Sequence, residues 1–206
     1  MPDAVTIGVM ADHHLDFVMV RDLVKLIHDR WNEIGGRVIW AIGDVGHLDI
    51  GRNRVVEGFL KETTSEWLLW LDTDMAFTAV DFDALYRRGA PIVSGLYYRD
   101  TEPPTPCMFR YKDGHAKTVK DFRRGSVLSV DVAGLGFMLT HREVLAEMEV
   151  ARFSQYRPWF DNSALGPAGQ PLADDSSFCA RAKELGYDIL VDTAVVLGHI
   201  KPKVIR

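Results

Sequence analysis

Trp67-Leu68-Leu69-Trp70-Leu71 sets five apolar side chains in a row, and Asp72-Thr73-Asp74 follows at once. A strand with one wet face alternates polar and apolar residues; a strand with no alternation must be covered on both faces, as in the middle of a helix-flanked parallel sheet. The flanking sequence supplies the rest of such a sheet. Residues 5–11 form a β-branched run. Residues 15–33 follow as a helix, with Phe17, Val20, Val24, Ile27 and Trp31 at helical spacing as its core face and Gly35-Gly36 as its end. Residues 37–42 read as a strand, 50–61 as a helix burying Val55, Val56, Phe59 and Leu60, 81–88 as a helix closed by Gly89, and 91–97 as a further strand. The β-α-β-α-β-α-β order predicts an α/β fold: a Rossmann-like, doubly wound, mainly parallel sheet with ligands outside the carboxyl ends of its strands.

The second half is less regular. Residues 103–106 are Pro-rich, and 108–119 read as an inserted β-hairpin turning at Asp113-Gly114. Residues 126–132 are predicted as a strand broken by Gly134-Leu135-Gly136, and Thr140 to Glu143 as a capping box opening a helix through residue 148. A Gly/Pro loop at 166–171 precedes a helix over 174–185, with Phe178, Ala182 and Leu185 on one side, and short strands at 189–191 and 195–197. With no linker or repeat, residues 1–206 are expected to form one domain. A chain of this length buries roughly 70% of its unfolded surface, so it needs neither disulfides nor structural metal. Cys107 and Cys179 read as free thiols of a reducing compartment. The start of the chain lacks a basic segment and no apolar run approaches 18 residues, so no membrane span and a cytoplasmic setting are expected. The net charge of −5 argues against a surface that is basic throughout. It averages over a +4 segment, however: Arg110, Lys112, Lys117, Lys120, Arg123 and Arg124 against Asp113 and Asp121.

Three acidic or imidazole features carry chemistry. Asp72 and Asp74, one residue apart at the end of a strand, can both approach a hard divalent cation, Mn²⁺ or Mg²⁺, or can simply cap a turn. Asp174-Asp175 opens a helix, where one carboxylate can satisfy free amides and the other can act as a base. His199 ends an apolar run, as a structural imidazole or a third ligand. Trp159 and Phe160 are a sugar-stacking pair or a core anchor. Lys117, Lys120, Arg123 and Arg124, joined by Lys201, Lys203 and Arg206, are a solvated hairpin or a rim for a phosphate backbone. A phosphohydrolase with an Asp-x-Asp nucleophile is a competing reading, but that motif belongs after a first strand and here follows the third. A nucleotide- or sugar-binding module without chemistry is the non-enzymatic alternative.

Taken in order, Arg52-Asn53, the run from Trp67 to Met75, Val132-Ala133-Gly134-Leu135-Gly136-Phe137-Met138-Leu139, Asp174 to Ala182, and Gly198-His199 resemble GT-A-fold, nucleotide-sugar-dependent glycosyltransferases. The short form is similar to the small enzymes that bacteriophages encode, which implies a host cytoplasm. The resemblance implies that Asp74 and His199 hold Mn²⁺ or Mg²⁺, and that Asp72 contacts the donor ribose or a metal-bound water. It also places the donor, a UDP-sugar or alternatively a GDP-sugar, against Ala11, Asp12, His13, Asp44, Arg52, Asn53, Thr73, Gly134 and Gly136. Asp44 matches the acceptor for a uracil N3–H. Asp175 matches the base of inverting members, with Asp174 standing where glutamate is commoner. Residues 1–100 are then the nucleotide-binding half and 101–206 the acceptor-binding half. The phage likeness and the basic segment together point to a hydroxymethylated DNA base as one acceptor, beside a capsid protein, a surface glycan or a small metabolite.

Overall fold

The computed structural model describes residues 4–11, 15–42, 47–154 and 157–201. Among them the chain runs β1 (Val5–Ala11), α1 (Phe17–Asp29), α2 (Trp31–Ile34), β2 (Val38–Ile42), α3 (Leu48–Glu62), β3 (Trp67–Asp72), β4 (Met75–Ala76) and α4 (Ala79–Tyr86). It continues through β5 (Ile92–Leu96), β6 (Tyr98–Arg99), β7 (Thr105–Pro106), β8 (Met108–Lys112), β9 (His115–Thr118), β10 (Val127–Val130), β11 (Val132–Ala133) and β12 (Phe137–His141). The last elements are α5 (Arg142–Ala151), α6 (Asp174–Glu184), β13 (Ile189–Val196) and β14 (Gly198–His199). Seven strands make the central sheet in the order β10-β13-β5-β12-β3-β1-β2. Five of the seven point the same way, and β10 and β12 run against them.

The apolar run behaves as its composition requires. Leu68 and Trp70 enter the core beneath α3, α5 and α6, where Phe59, Met138, Phe160 and Phe178 pack. Leu69 and Leu71 enter the opposite core beneath α1 and α4, with Ile7, Leu26, Phe82 and Phe137. Residues of both halves of the chain contribute to each core.

Four expectations are corrected. The strand run is not flanked by parallel neighbours on both sides: β3 is parallel to β1 but antiparallel to β12. Phe137 to His141 supplies that strand, where a break and a helix cap are expected. Thr140 lies inside it, fully buried. The helix cap therefore moves one residue on, to His141, whose Nδ1 accepts from the Glu143 amide at 3.4 Å. Ile189–Val196 is one irregular strand rather than the two short ones expected at 189–191 and 195–197.

The fourth correction concerns the first helix. It breaks at Arg30 (φ −128°), whose guanidinium grips Asp83 of α4 at 2.5 and 2.6 Å. Its buried face is Met19, Asp22, Leu23 and Leu26, whereas Phe17, Val24 and Trp31 are 78%, 61% and 60% exposed. The inserted hairpin forms as expected, β8 against β9, with Asp113 and Gly114 both at positive φ (54° and 76°) as a tight two-residue hairpin turn requires.

Candidate functional site

The site begins where β3 ends. Two-residue strands β4 and β14 pair antiparallel, His199 opposite Met75, and the Ile200 amide donates to the Asp74 carbonyl at 2.7 Å. This short ladder brings together residues 125 positions apart: His199 Nε2 lies 3.1 Å from Asp74 Oδ2. The Tyr98 carbonyl is 2.8 Å from His199 Nδ1. A carbonyl only accepts, so Nδ1 carries its proton and Nε2 is the nitrogen aimed at Asp74, the arrangement that orients imidazoles as metal ligands. Lys201 Nζ donates to the same Asp74 oxygen at 2.5 Å. Burial pushes the Asp74 carboxyl up, but the hydrogen bonds from His199 and Lys201 together outweigh it and hold Asp74 below the usual carboxylate range. The hydrogen bond to Asp74 in turn raises His199, against a smaller opposing effect of burial.

Beside this pair, Arg52 of α3 is the hub of the acidic residues. Its Nη2 donates to Asp72 at 3.0 Å and its Nε to Asp174 at 2.6 Å. The guanidinium rests over the Trp70 and Phe160 rings, 5.7 and 5.9 Å from their centroids. Burial would lower an arginine's pKa, but Asp72 and Asp174 outweigh it and Arg52 is held above its ordinary value. Its Nη1 is buried with no hydrogen-bond partner among the described residues. Burial raises Asp72 despite Arg52. Asp175 is pushed up to about 6, by burial first and by the Asp174 charge second, with Arg52 opposing. Met10, Leu48, Arg52, Asp72, Thr73 and Asp74 line a cavity of about 130 Å³.

The donor set of one carboxylate and one imidazole, with a second carboxylate nearby, fits Mn²⁺ or Mg²⁺ whose remaining positions are filled by phosphate oxygens and water. Among the described residues no three His, Cys, Asp or Glu side chains gather into a closed cage. Asp72 is turned to Arg52, so Asp74 and His199 are the carboxylate and imidazole that the fold brings together.

The other expected residues divide. Ala11 is buried at the end of β1 and Thr73 is buried in the turn, its carbonyl accepting from the Asp16 amide at 3.2 Å. Asn53 is spent on the protein: Nδ2 donates to the Asp49 and Phe160 carbonyls at 2.7 and 2.8 Å, and Oδ1 accepts from the Trp159 and Phe160 amides. Trp159 and Phe160 are 1% and 0% exposed; they are the core anchor rather than a stacking surface. Trp159 Nε1 donates to the Leu145 carbonyl at 2.7 Å and Phe160 stacks on Phe178.

A Cβ at Gly134 would lie 2.0 Å from the Tyr97 hydroxyl and 2.7 Å from Cys107 Sγ, so the close approach this glycine permits is to the protein's own side chains. Tyr97 and Cys107 are additions of the fold; nothing local in the sequence links positions 97, 107 and 134. Burial lifts the Cys107 thiol to about 11, which leaves it protonated at neutral pH. Lys117 is exposed on β9, opposite Arg110. Lys120 and Arg124 line a cavity of about 290 Å³ with Tyr98 and Pro104. Tyr98 and Pro104 also line a neighbouring cavity of about 350 Å³ that contains His199 and Lys201. The Arg123 carbonyl accepts from Ser126. Asp12, His13, Asp44, Lys203 and Arg206 lie outside the described residues. No helix among the described residues is long and apolar enough to cross a membrane.

No protein-family model and no curated protein matches the sequence. Solved structures do match in three dimensions. A crystal structure of GalNAc-T7 with UDP, GalNAc and Mn²⁺ superposes with a TM-score of 0.58 at 13% identity, over 95% of this chain and 43% of that one. A crystal structure of A197 from STIV superposes with a TM-score of 0.55 at 17% identity, over 98% of this chain and 97% of that one. At these identities the likeness is one of fold, and the fold is similar to that of a GT-A glycosyltransferase.

Proposed function

We propose that this GT-A-like domain is a metal-dependent glycosyltransferase that moves a sugar from a nucleotide-sugar, a UDP-sugar before a GDP-sugar, to a hydroxyl acceptor. The observation that carries the reading is the meeting of Asp74 and His199 at the end of β3, beside Asp72 and the Arg52-bound carboxylates. A Mn²⁺ or Mg²⁺ ion held there would act as a Lewis acid toward the charge that grows on a leaving diphosphate. Asp74 and His199 would hold it. Arg52 fixes the direction of Asp72 and Asp174 and keeps Nη1 for the donor. Asp175 Oδ1 accepts from the Ser176 amide at 2.8 Å, leaving Oδ2 to take the proton of the acceptor hydroxyl. A carboxylate with a pKa of about 6 is ionised at neutral pH and still basic enough for that transfer. Direct attack by the hydroxyl activated in this way inverts the anomeric centre.

The acceptor enters from the side of Lys120 and Arg124, whose cavity shares Tyr98 and Pro104 with the one beside His199. Cationic walls there favour a polyanion, and a hydroxymethylated base in DNA, flipped from its stack, meets both requirements. In this reading residues 1–100 chiefly hold the nucleotide and 101–206 chiefly the acceptor, with Asp174, Asp175 and His199 crossing to the donor side.

Thermal unfolding with UDP, GDP and UDP-sugars, in Mn²⁺ or in EDTA, tests the reading. A ligand at 100 times its Kd adds about 2.7 kcal/mol. The expected outcome is metal-dependent stabilisation by a uridine nucleotide that Asp74→Ala removes. Stabilisation unaffected by EDTA or by Asp74→Ala overturns the donor site.

A further inference from the structure

The apolar stripe of the first helix is real but faces away from the core. Arg21, Lys25 and Asp29 occupy the flank of α1 toward Phe77 and Thr78, and Met19, Leu23 and Leu26 face the sheet. Phe17 and Val24, seven residues apart on α1, therefore lie away from that flank, and Trp31 opens α2 beyond the break at Arg30. Val20 and Ile27, half-buried, pack against the core beneath α1. On β2, Val38, Trp40 and Ile42 pair with Ile7, Val9 and Ala11 and so point to the same face of the sheet as α1. Trp40 and Ile42 are 48% and 69% exposed. Trp31 joins the two, its ring lying where a Cβ on Gly36 would be, at the entry to β2. The result is one apolar trough between a helix flank and a sheet edge.

β2 is the edge of the sheet, with β1 as its one strand partner among the described residues. Its five residues, Val-Ile-Trp-Ala-Ile, contain no charge and no proline, the devices that normally protect an open edge from pairing. We infer that the trough and the edge of β2 are covered by a second copy of this chain, β2 pairing antiparallel with β2 about a two-fold axis normal to the sheet. Among the described residues no strand pairs with the outer edge of β2, and an extended strand satisfies the backbone donors and acceptors of an open edge where a lipid surface or a helix does not. A two-fold axis of this orientation keeps the same face of both sheets on one side, so each helix flank meets the other across the Trp40 and Ile42 side chains. The contact is isologous and closes on itself. With full aromatic side-chain areas of roughly 150–250 Å², the exposed parts of Phe17, Val24, Trp31, Trp40 and Ile42 come to roughly 600 Å². A standard interface uses about 800 Å² per partner, so these five side chains alone supply most of what one partner contributes.

The test is the oligomeric state of the whole chain, by sedimentation equilibrium between 1 and 100 µM, and it is independent of any activity. A dimer is expected. Val24→Glu and Trp40→Lys, separately and with unchanged far-UV spectra and Tm, should each weaken it at least 100-fold. Trp40→Cys, at the middle of β2, should cross-link across the axis on mild oxidation, and Val150→Cys on exposed α5 should not. A wild-type chain that is monomeric at 100 µM overturns the inference. So does a dimer that survives both charged variants. Sedimentation with anionic phospholipid vesicles covers the other occupant: a monomer that binds them through Val24 and Trp40 assigns the trough to lipid and overturns the dimer.

Discussion

Arg52 and Asp174, 122 positions apart, are joined by a 2.6 Å hydrogen bond that ties the helix after β2 to the helix that carries Asp175. The same guanidinium holds Asp72 at 3.0 Å. Removing one partner of a buried ionic cluster leaves the others uncompensated, at a cost of about 3–5 kcal/mol. Arg52→Met should therefore lose about that much stability in urea unfolding at pH 7. The deficit should shrink as pH falls, because the Asp72 carboxyl, already raised by burial, takes up a proton more readily once the guanidinium is gone. A variant as stable as wild type at pH 7 would show that the cluster carries no such strain.

Asp175 gives a pH dependence of definite sign. Its carboxyl titrates near 3.8 when unfolded and about 6 when folded, so it holds a proton more readily in the native state. Native stability from this group falls as pH rises from about 4 to 6 and is level above. One pKa unit corresponds to about 1.4 kcal/mol, so Asp175→Asn should raise stability at pH 7 by up to about 3 kcal/mol while abolishing transfer. In the wild type, kcat/KM should rise with pH through about 6. Thermal melts and pH–rate profiles read the two effects separately.

For His199 the signs differ with and without metal. Its folded pKa is raised above 6.5 by Asp74, so in EDTA its contribution is full below pH 6.5 and is lost as pH climbs through the folded value. A cation takes the neutral imidazole, so stabilisation by Mn²⁺ with UDP should grow over the same range. Melting curves from pH 6 to 9 with and without Mn²⁺ should show opposite slopes, and His199→Ala should flatten both.

Asn53 and Trp159 should behave as structure. Asn53→Ala strands two carbonyls and two amides of the 159–160 and Asp49 backbone, a cost of about 1–3 kcal/mol, and Trp159→Ala costs about 3–5 kcal/mol. Both losses should appear in denaturant midpoints. The nucleotide Kd of folded Asn53→Ala should stay within about twofold of wild type; a tenfold loss would return this side chain to the nucleoside.

If the acceptor is DNA, duplex binding should weaken steeply with salt. Changing Lys117, Lys120, Arg123 and Arg124 to Ala should lower the slope of log K against log salt by up to about 0.9 for every phosphate that the variant leaves without a cation. Titrations at 50 and 200 mM salt decide this, and binding that is absent or insensitive to salt removes the DNA acceptor.

Local patterns in the sequence are enough to place β1, β2, β3, the hairpin turn and the helix of Asp174, because an unbroken apolar run, an Asp-Gly pair and an amphipathic stretch closed by Gly186 each act over a few residues. β12 escapes such patterns because Phe137 to Thr140 follows two glycines and leads straight into a helix, so its apolar residues read as a turn and a cap. The core face of α1 is misread because Met19, Leu23 and Leu26 on one side and Phe17 and Val24 on another are both apolar sets, and periodicity alone does not say which one the sheet takes. Asp72, Asp74 and His199 are legible as chemistry at strand ends. The Arg52 hub and the Tyr97–Gly134 contact are not, since they depend on pairs that only the folded chain brings together.

Because β12 runs against its neighbours, it is its beginning that lies beside Asp72, whose amide donates to the Gly136 carbonyl at 3.1 Å. Just upstream, β11 is hydrogen-bonded to β8 of the basic hairpin. The hairpin and the floor beneath Asp72 are thus consecutive links of one chain, and a load placed on Lys117 or Arg110 has three residues, Gly134 to Gly136, through which to reach the end of the central strand.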